Sequence, residues 1–182
     1  MDRLAPMLDD DSRNALNSQR LDAAFVLEDY DLALKILSAG VADRDEAWHT
    51  LATTKVRAHQ ALQQKNYDEA IKQFRAFMSA IEKQEEDTTP DPTTAAVHSK
   101  ETILGRNTKR IAEIYALAQR PDEAAKAYAE ARKHFEKALQ KNADVLADAA
   151  KKGGNALVVA KETCAATEKM IREELATIPD VK

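Results

Sequence analysis

The chain has 182 residues, 44% of them hydrophobic, 32% charged and 5% aromatic, with Gly 4 and Cys 1. That length suits one core or a short repeat array. The few aromatics leave little material for a β-sandwich or a deep aromatic pocket, and the lone Cys164 excludes an internal disulfide or a cysteine-based metal site.

The formal net charge of −4 is unevenly placed, with 11 Lys/Arg and 18 Asp/Glu in residues 1–97 against 16 and 13 in residues 98–182. An acidic first part and a mildly basic second part can guide a partner or favour head-to-tail association. The basic excess falls short of the face that nucleic acid requires. No charged-then-apolar leader follows Met1 and no long uncharged run could cross a bilayer. A soluble, cytoplasmic protein without membrane contact is expected, exported only if a leader has been removed.

The first predicted helix covers Arg13 to Leu27, with Leu16, Leu21, Ala24 and Leu27 at helical spacing. A second follows from Tyr30 to Leu37, with Asp29 placed to cap it and Gly40 to stop it. Asp43 and Glu46 form a capping box for a third helix running to about Gln64 through Trp48, Leu51, Ala52, Ala58 and Leu62. Asn66 and Glu69 form another box, opening a helix that bears Ala70, Ile71, Phe74, Phe77, Met78 and Ile81. Residues 84–96 then hold two prolines, four acids and no large apolar side chain. Proline removes an amide donor and turns its predecessor away from the helix, so this stretch reads as an exposed loop.

A fifth helix starts near Ser99 and carries Ile103, Ile111, Ile114, Tyr115 and Ala118. Pro121 suits the first position of the sixth. Its apolar residues Ala124, Tyr128, Ala131, Phe135, Ala138, Val145 and Ala149 keep a 4-3 rhythm that Asn142 interrupts. It either runs unbroken for about 30 residues, roughly 45 Å at the standard rise, or breaks near Asn142. Gly153 and Gly154 end it. A final helix over 155–176 stripes Leu157, Ala160, Cys164, Ile171 and Leu175 along one side and reads as a terminal cover.

Three second-helix openings line up: Glu28-Asp29-Tyr30-Asp31-Leu32-Ala33, Lys65-Asn66-Tyr67-Asp68-Glu69-Ala70 and Gln119-Arg120-Pro121-Asp122-Glu123-Ala124. Here the sequence resembles the tetratricopeptide repeat. In that family a small residue lets paired helices cross closely, and a large one four positions later fills the groove. Ala33, Ala70 and Ala124 match the small place; Leu37, Phe74 and Tyr128 match the large one. Helix one fits unevenly: Ile111, Ala112 and Tyr115 match, whereas Arg57 takes a usually apolar place and Leu21 a usually small one. Ala33 to Ala70 is 37 residues and Ala70 to Ala124 is 54, against a regular period of about 34. The likeness covers about residues 12–135.

The resemblance implies an all-α, short α-solenoid over 1–182, with hairpins at about 12–40, 43–84 and 99–152, a loop at 85–97 and a capping helix at 155–176. It also implies a non-enzymatic adaptor or scaffold that binds a protein or peptide on the concave face of its first helices. Carried over residue by residue, that face holds Ser18, Asp22 and Phe25, then Lys55, His59 and Leu62, then Arg106, Lys109, Glu113 and Ala116. Asp22 and Glu113 stand where a chaperone-tail clamp needs neutral or basic groups, so that clamp is not expected. Lys55, Arg106, Lys109 and Arg110 instead point to an acidic segment.

An alternative is a self-associating structural component, pairing through the 4-3 seam between Ala124 and Ala149. No cofactor or metal is expected. His49, His59, His98 and His134 show no i, i+4 zinc pair. The run Gly105 to Lys109 lacks the second glycine and the preceding strand of a phosphate loop. His59 with Lys55, and the acids Glu173 and Glu174, read as solvated faces. Cys164 reads as a buried small residue, and Trp48 as a core or inter-repeat contact.

Overall fold

The computed structural model describes residues 10–41, 44–83 and 99–179, with side chains from Leu16 onward. Among them all regular structure is helical, in the order α1 (Asp10–Val26), α2 (Tyr30–Ala39), α3 (Glu46–Gln63), α4 (Tyr67–Lys83), α5 (Lys100–Leu117), α6 (Pro121–Lys152) and α7 (Gly154–Ala176). None is long and apolar enough to cross a membrane. The predicted loop at 85–97 lies outside the described residues. The chain divides into two compact units, 1–77 and 78–182, parting within α4.

The α1–α2, α3–α4 and α5–α6 connections repeat one turn. Glu28, Lys65 and Gln119 each adopt a left-handed conformation, with φ of 54°, 59° and 58°. The amide that follows reaches back five residues in every case: Asp29 to the Ala24 carbonyl at 2.9 Å, Asn66 to Ala61 at 2.8 Å, and Arg120 to Tyr115 at 2.9 Å. The left-handed residue itself donates three back, to Phe25, Leu62 and Ala116, at 3.2, 2.9 and 3.0 Å. These paired bonds satisfy carbonyls that a helix end leaves open. They also reverse the chain within three residues. A non-glycine side chain in that conformation carries a cost of about 1 kcal/mol or more, which the hairpin's packing must exceed.

The caps follow from short polar side chains. Asp29 accepts from the Leu32 amide at 3.0 Å, and Ser99 from Thr102 at 3.2 Å. The cap of α3 is Asp45, accepting from the Trp48 amide at 2.7 Å. This corrects the expected Asp43, which lies outside the described residues. Only half of the Asn66–Glu69 box forms: Asn66 Oδ1 accepts from the Glu69 amide at 3.4 Å, while the Glu69 carboxylate turns to Gln73 and Lys72. Gly40, with φ of 87°, ends α2.

In unit 1, Leu21, Ala24, Tyr30, Ala33, Ile36, Leu37, Val41 and Val56 form the core, with Phe25 and Trp48 packed against it. Trp48 is thus a core-edge contact, with the Arg44 guanidinium 5.2 Å from its ring centre. Leu27 departs from its expected inward place: α1 ends at Val26, and Leu27 is 75% exposed. Several alanines are fully buried, with Ala33, Ala58, Ala70 and Ala112 all at 0% exposure. A methyl group there lets backbones approach closely and leaves larger neighbours such as Phe74 to fill the space.

In unit 2, α6 is one uninterrupted helix of 32 residues, roughly 48 Å long. Asn142 does not break it, because its polar side chain finds a partner on α7: Nδ2 donates to the Cys164 carbonyl at 2.9 Å. The Cys164 thiol donates in return to the Asn142 carbonyl at 3.5 Å. Gly105 sits within α5, where an added Cβ would come 2.9 Å from Phe135 Cε1. It is the close-approach point of α5 and α6. The 4-3 seam of α6 packs on α7, where Ala131, Phe135 and Ala138 bury Ile171 and Ile178.

Candidate functional site

The face shared by α1 and α3 in unit 1 gathers Phe25, Lys55 and His59. The His59 ring stacks on Tyr30 at a centroid distance of 5.7 Å and 28°, and meets Phe25 and Phe74 edge-on at 5.4 and 5.2 Å. Phe25 also meets Tyr30 edge-on at 5.8 Å. Edge-to-face rings place the positive rim of one against the negative face of another, adding about 0.5–1.5 kcal/mol per pair. His59 is therefore half-buried in an aromatic cluster rather than on a solvated face, which corrects the expectation for that residue. No periodicity in the sequence announces this, since Tyr30 and Phe74 belong to second helices.

Lys55 is exposed, with Nζ 5.3 Å from the centre of the half-buried Phe25 ring. A cation held over a ring keeps its charge available to water while its stem covers apolar surface. Asp22 is exposed one helical turn before Phe25. Unit 1 thus presents an aromatic ledge bearing one ammonium, with a carboxylate on the same helix as the phenyl ring. The neighbouring Gln60 and Gln63 fasten α3 to the first turn, donating to Asp31 Oδ1 at 2.6 Å and to the Glu28 carbonyl at 3.2 Å.

The corresponding face of α5 in unit 2 carries Arg106, Lys109, Arg110 and Glu113, and the first two converge on Glu174, a residue expected on a solvated face. Glu174 of α7 accepts from Lys109 Nζ at 2.7 Å and from Arg106 Nε at 3.1 Å. Arg106 also contacts the Met170 sulfur. Glu113 accepts from Arg110 at 2.9 Å and lies 4.0 Å from Lys109. Glu173 remains exposed as expected, but Glu174 does not belong to a solvated face. Its partial burial alone would raise its pKa, yet the bonds and charges of Lys109 and Arg106 outweigh that and hold it below the ordinary carboxylate value. A signal was present in the sequence, because Glu174 falls three residues after Ile171, on the same stripe as Ala160 and Cys164.

Ala116, Gln119, Ala124, Tyr128 and Pro179 line an apolar cleft of about 580 Å³ within unit 2. Burial, and then the Glu113 charge, push the Tyr128 phenol above its ordinary pKa. Elsewhere in this unit His134 Nδ1 lies 2.7 Å from Glu101 Oε2, with both side chains mostly covered, tying α6 to the first turn of α5. Cys164 is buried at 3% exposure, as expected, and burial raises its thiol pKa. A high pKa leaves little thiolate, the form that acts as nucleophile. Compared with models of known families, with characterised proteins and with solved structures, the chain has no match.

Proposed function

We propose that the chain is a non-catalytic, tetratricopeptide-like adaptor that holds a protein or peptide partner on the face of its first helices. The observation that carries this reading is the ledge in unit 1, where Phe25 and His59 meet beneath Lys55 on the carried-over groove positions of α1 and α3. A part-exposed aromatic with a cation above it offers both apolar area and a charge that selects an acidic segment. The repeated three-residue turn and the buried alanines support stacked hairpins of one kind. A cytoplasmic setting belongs to the same proposal.

Site-specific photo-crosslinking tests it. A crosslinker at Asp22 or Lys55 should capture a discrete protein partner, and one at Lys72 or Arg75 on α4 should not. The adduct from Asp22 should disappear when Lys55 is reversed to Glu. Equal adducts from both faces, or none from α1 and α3, would remove the adaptor reading. Self-association through the 4-3 seam of α6 has no observation in its favour, because α7 occupies that seam.

A further inference from the structure

We propose that α7 is a releasable latch, occupying on the α5–α6 pair of unit 2 the place that an acidic, amphipathic partner helix takes. The inference rests on the adaptor reading and adds the partner's chemistry and a means of control.

Three independent features of α7 point the same way. The first is its attachment. Gly153 and Gly154 both have left-handed backbones, with φ of 67° and 60°, and open space around them. No side-chain cap anchors the start of the helix. Two successive glycines make a joint with little steric resistance to rotation, so α7 is held by its seam rather than by its connection.

The second is the middle of that seam. Asn142, Cys164 and Thr167 are all buried there. Asn142 Oδ1 and Thr167 Oγ1 have no hydrogen-bond partner. A buried polar atom without a partner loses its hydration and gains nothing in return. Opening the seam restores that hydration, so these two atoms weaken closure, while the Asn142–Cys164 bonds and the apolar contacts of Ile171 and Ile178 favour it.

The third is Glu174. Its carboxylate already neutralises Arg106 and Lys109, two of the four cations that would select an acidic partner. The bound chemistry is therefore written in α7 itself: small residues at 4-3 spacing, apolar anchors near the end, and a carboxylate between the last anchors. A partner helix with that pattern and an apolar residue in place of Thr167 makes the same contacts without the unpaired hydroxyl.

Release is measured on the full chain through the reaction of Cys164 with an aromatic disulfide reagent, because the thiol is buried only while α7 is docked. Amide hydrogen exchange in α5 and α6 reports separately on unfolding of unit 2 as a whole, and Trp48, the one tryptophan, on unfolding of unit 1. In native buffer Cys164 should react by a route that leaves the core amides of α5 and α6 protected from exchange. E174Q should speed that reaction roughly tenfold, and T167V should slow it roughly fivefold. A labelled synthetic peptide of residues 154–179 should bind E174Q more tightly than the natural chain, and the same peptide carrying Glu174→Lys should not bind. Reaction of Cys164 only in step with exchange of the α5 and α6 core amides, in all variants, would make α7 a permanent part of unit 2. That result leaves the adaptor reading standing, since its crosslinks come from unit 1. Concentration-dependent dimers in E174Q that exclude the peptide would make the occupant α7 of a second copy and overturn the assignment to a partner.

Discussion

Lys55 in unit 1 and Lys109 in unit 2 occupy matching places on their first helices, each followed four residues later by the residue that decides its surroundings. In unit 1 that residue is His59, which turns into a cluster of rings and leaves the Lys55 ammonium outward above Phe25. In unit 2 it is Glu113, and the Lys109 side chain, only 14% exposed, lies between Glu113 and Glu174. The same hairpin geometry therefore offers an open charge in one unit and a compensated charge in the other. A helical hairpin fixes where a side chain stands, whereas the next element in the chain decides whether its charge remains available.

The largest effect should come from separating the cores. Phe135→Ala removes a fully buried ring from unit 2 and should cost about 3–5 kcal/mol of that unit's stability. Denaturation followed by Cys164 accessibility should shift strongly while Trp48 fluorescence shifts less. Phe74→Ala should reverse that order. Equal shifts by both probes for both variants would mean the units unfold as one body, and the comparison would lose its footing.

Gly105→Ala comes next, at about 1–3 kcal/mol, since its methyl group would press on the Phe135 ring. Combining it with Phe135→Leu should recover part of the loss, which urea titration of the single and double variants would reveal.

The third effect bears on the two lysines directly. Glu174→Gln should lower unit 2 stability by about 1–2 kcal/mol at neutral pH, whereas Lys55→Gln should change unit 1 by less than about 0.5 kcal/mol. The Glu174 contribution has a defined pH course. Its folded pKa lies below the ordinary 4.5, so the folded state favours the ionised form. The stabilisation is complete above the ordinary value and fades as pH falls through the lower folded one. Natural chain and E174Q should thus converge in stability under acid. A gap that persisted well below pH 4.5 would assign the effect to packing and not to charge.

The smallest change should be a gain. Glu28, Lys65 and Gln119 hold left-handed conformations, so replacing any one with Gly relieves backbone crowding, less the entropy that glycine adds to the unfolded chain. A net gain of roughly 0.5–1 kcal/mol is expected at each. Thermal melts that rise at Gln119 but fall at Lys65 would show that the three turns are alike in shape only.

Much of this architecture was legible. Asp29, Ser99 and Pro121 mark helix starts because capping and a fixed φ act within one turn of chain. The buried alanines at 33, 70 and 124 were readable from their fixed distance to the Tyr30, Tyr67 and Pro121 openings. Misreadings occurred where two short-range solutions compete or where distance decides. Asp43 and Asp45 are both competent caps, and the structure uses Asp45. Leu27 shares the helical period of Leu16 and Ala24, but the turn at Glu28 ends the helix before the period reaches it. Asn142 looked like an interruption because its Cys164 partner stands 22 residues away.

The candidate site divides in the same way. Membership of the first-helix face came from the resemblance, carried over position by position along each helix. The company each residue keeps did not, since it arises where separate helices meet: Tyr30 and Phe74 beside His59, and Glu174 between Arg106 and Lys109. Helix identity, caps and turns depend on bonds spanning three to five residues, so the amino-acid order determines them directly. Which rings enclose a histidine and which carboxylate reaches a lysine depend on packing between helices far apart in the chain. Only the tertiary structure decides those contacts.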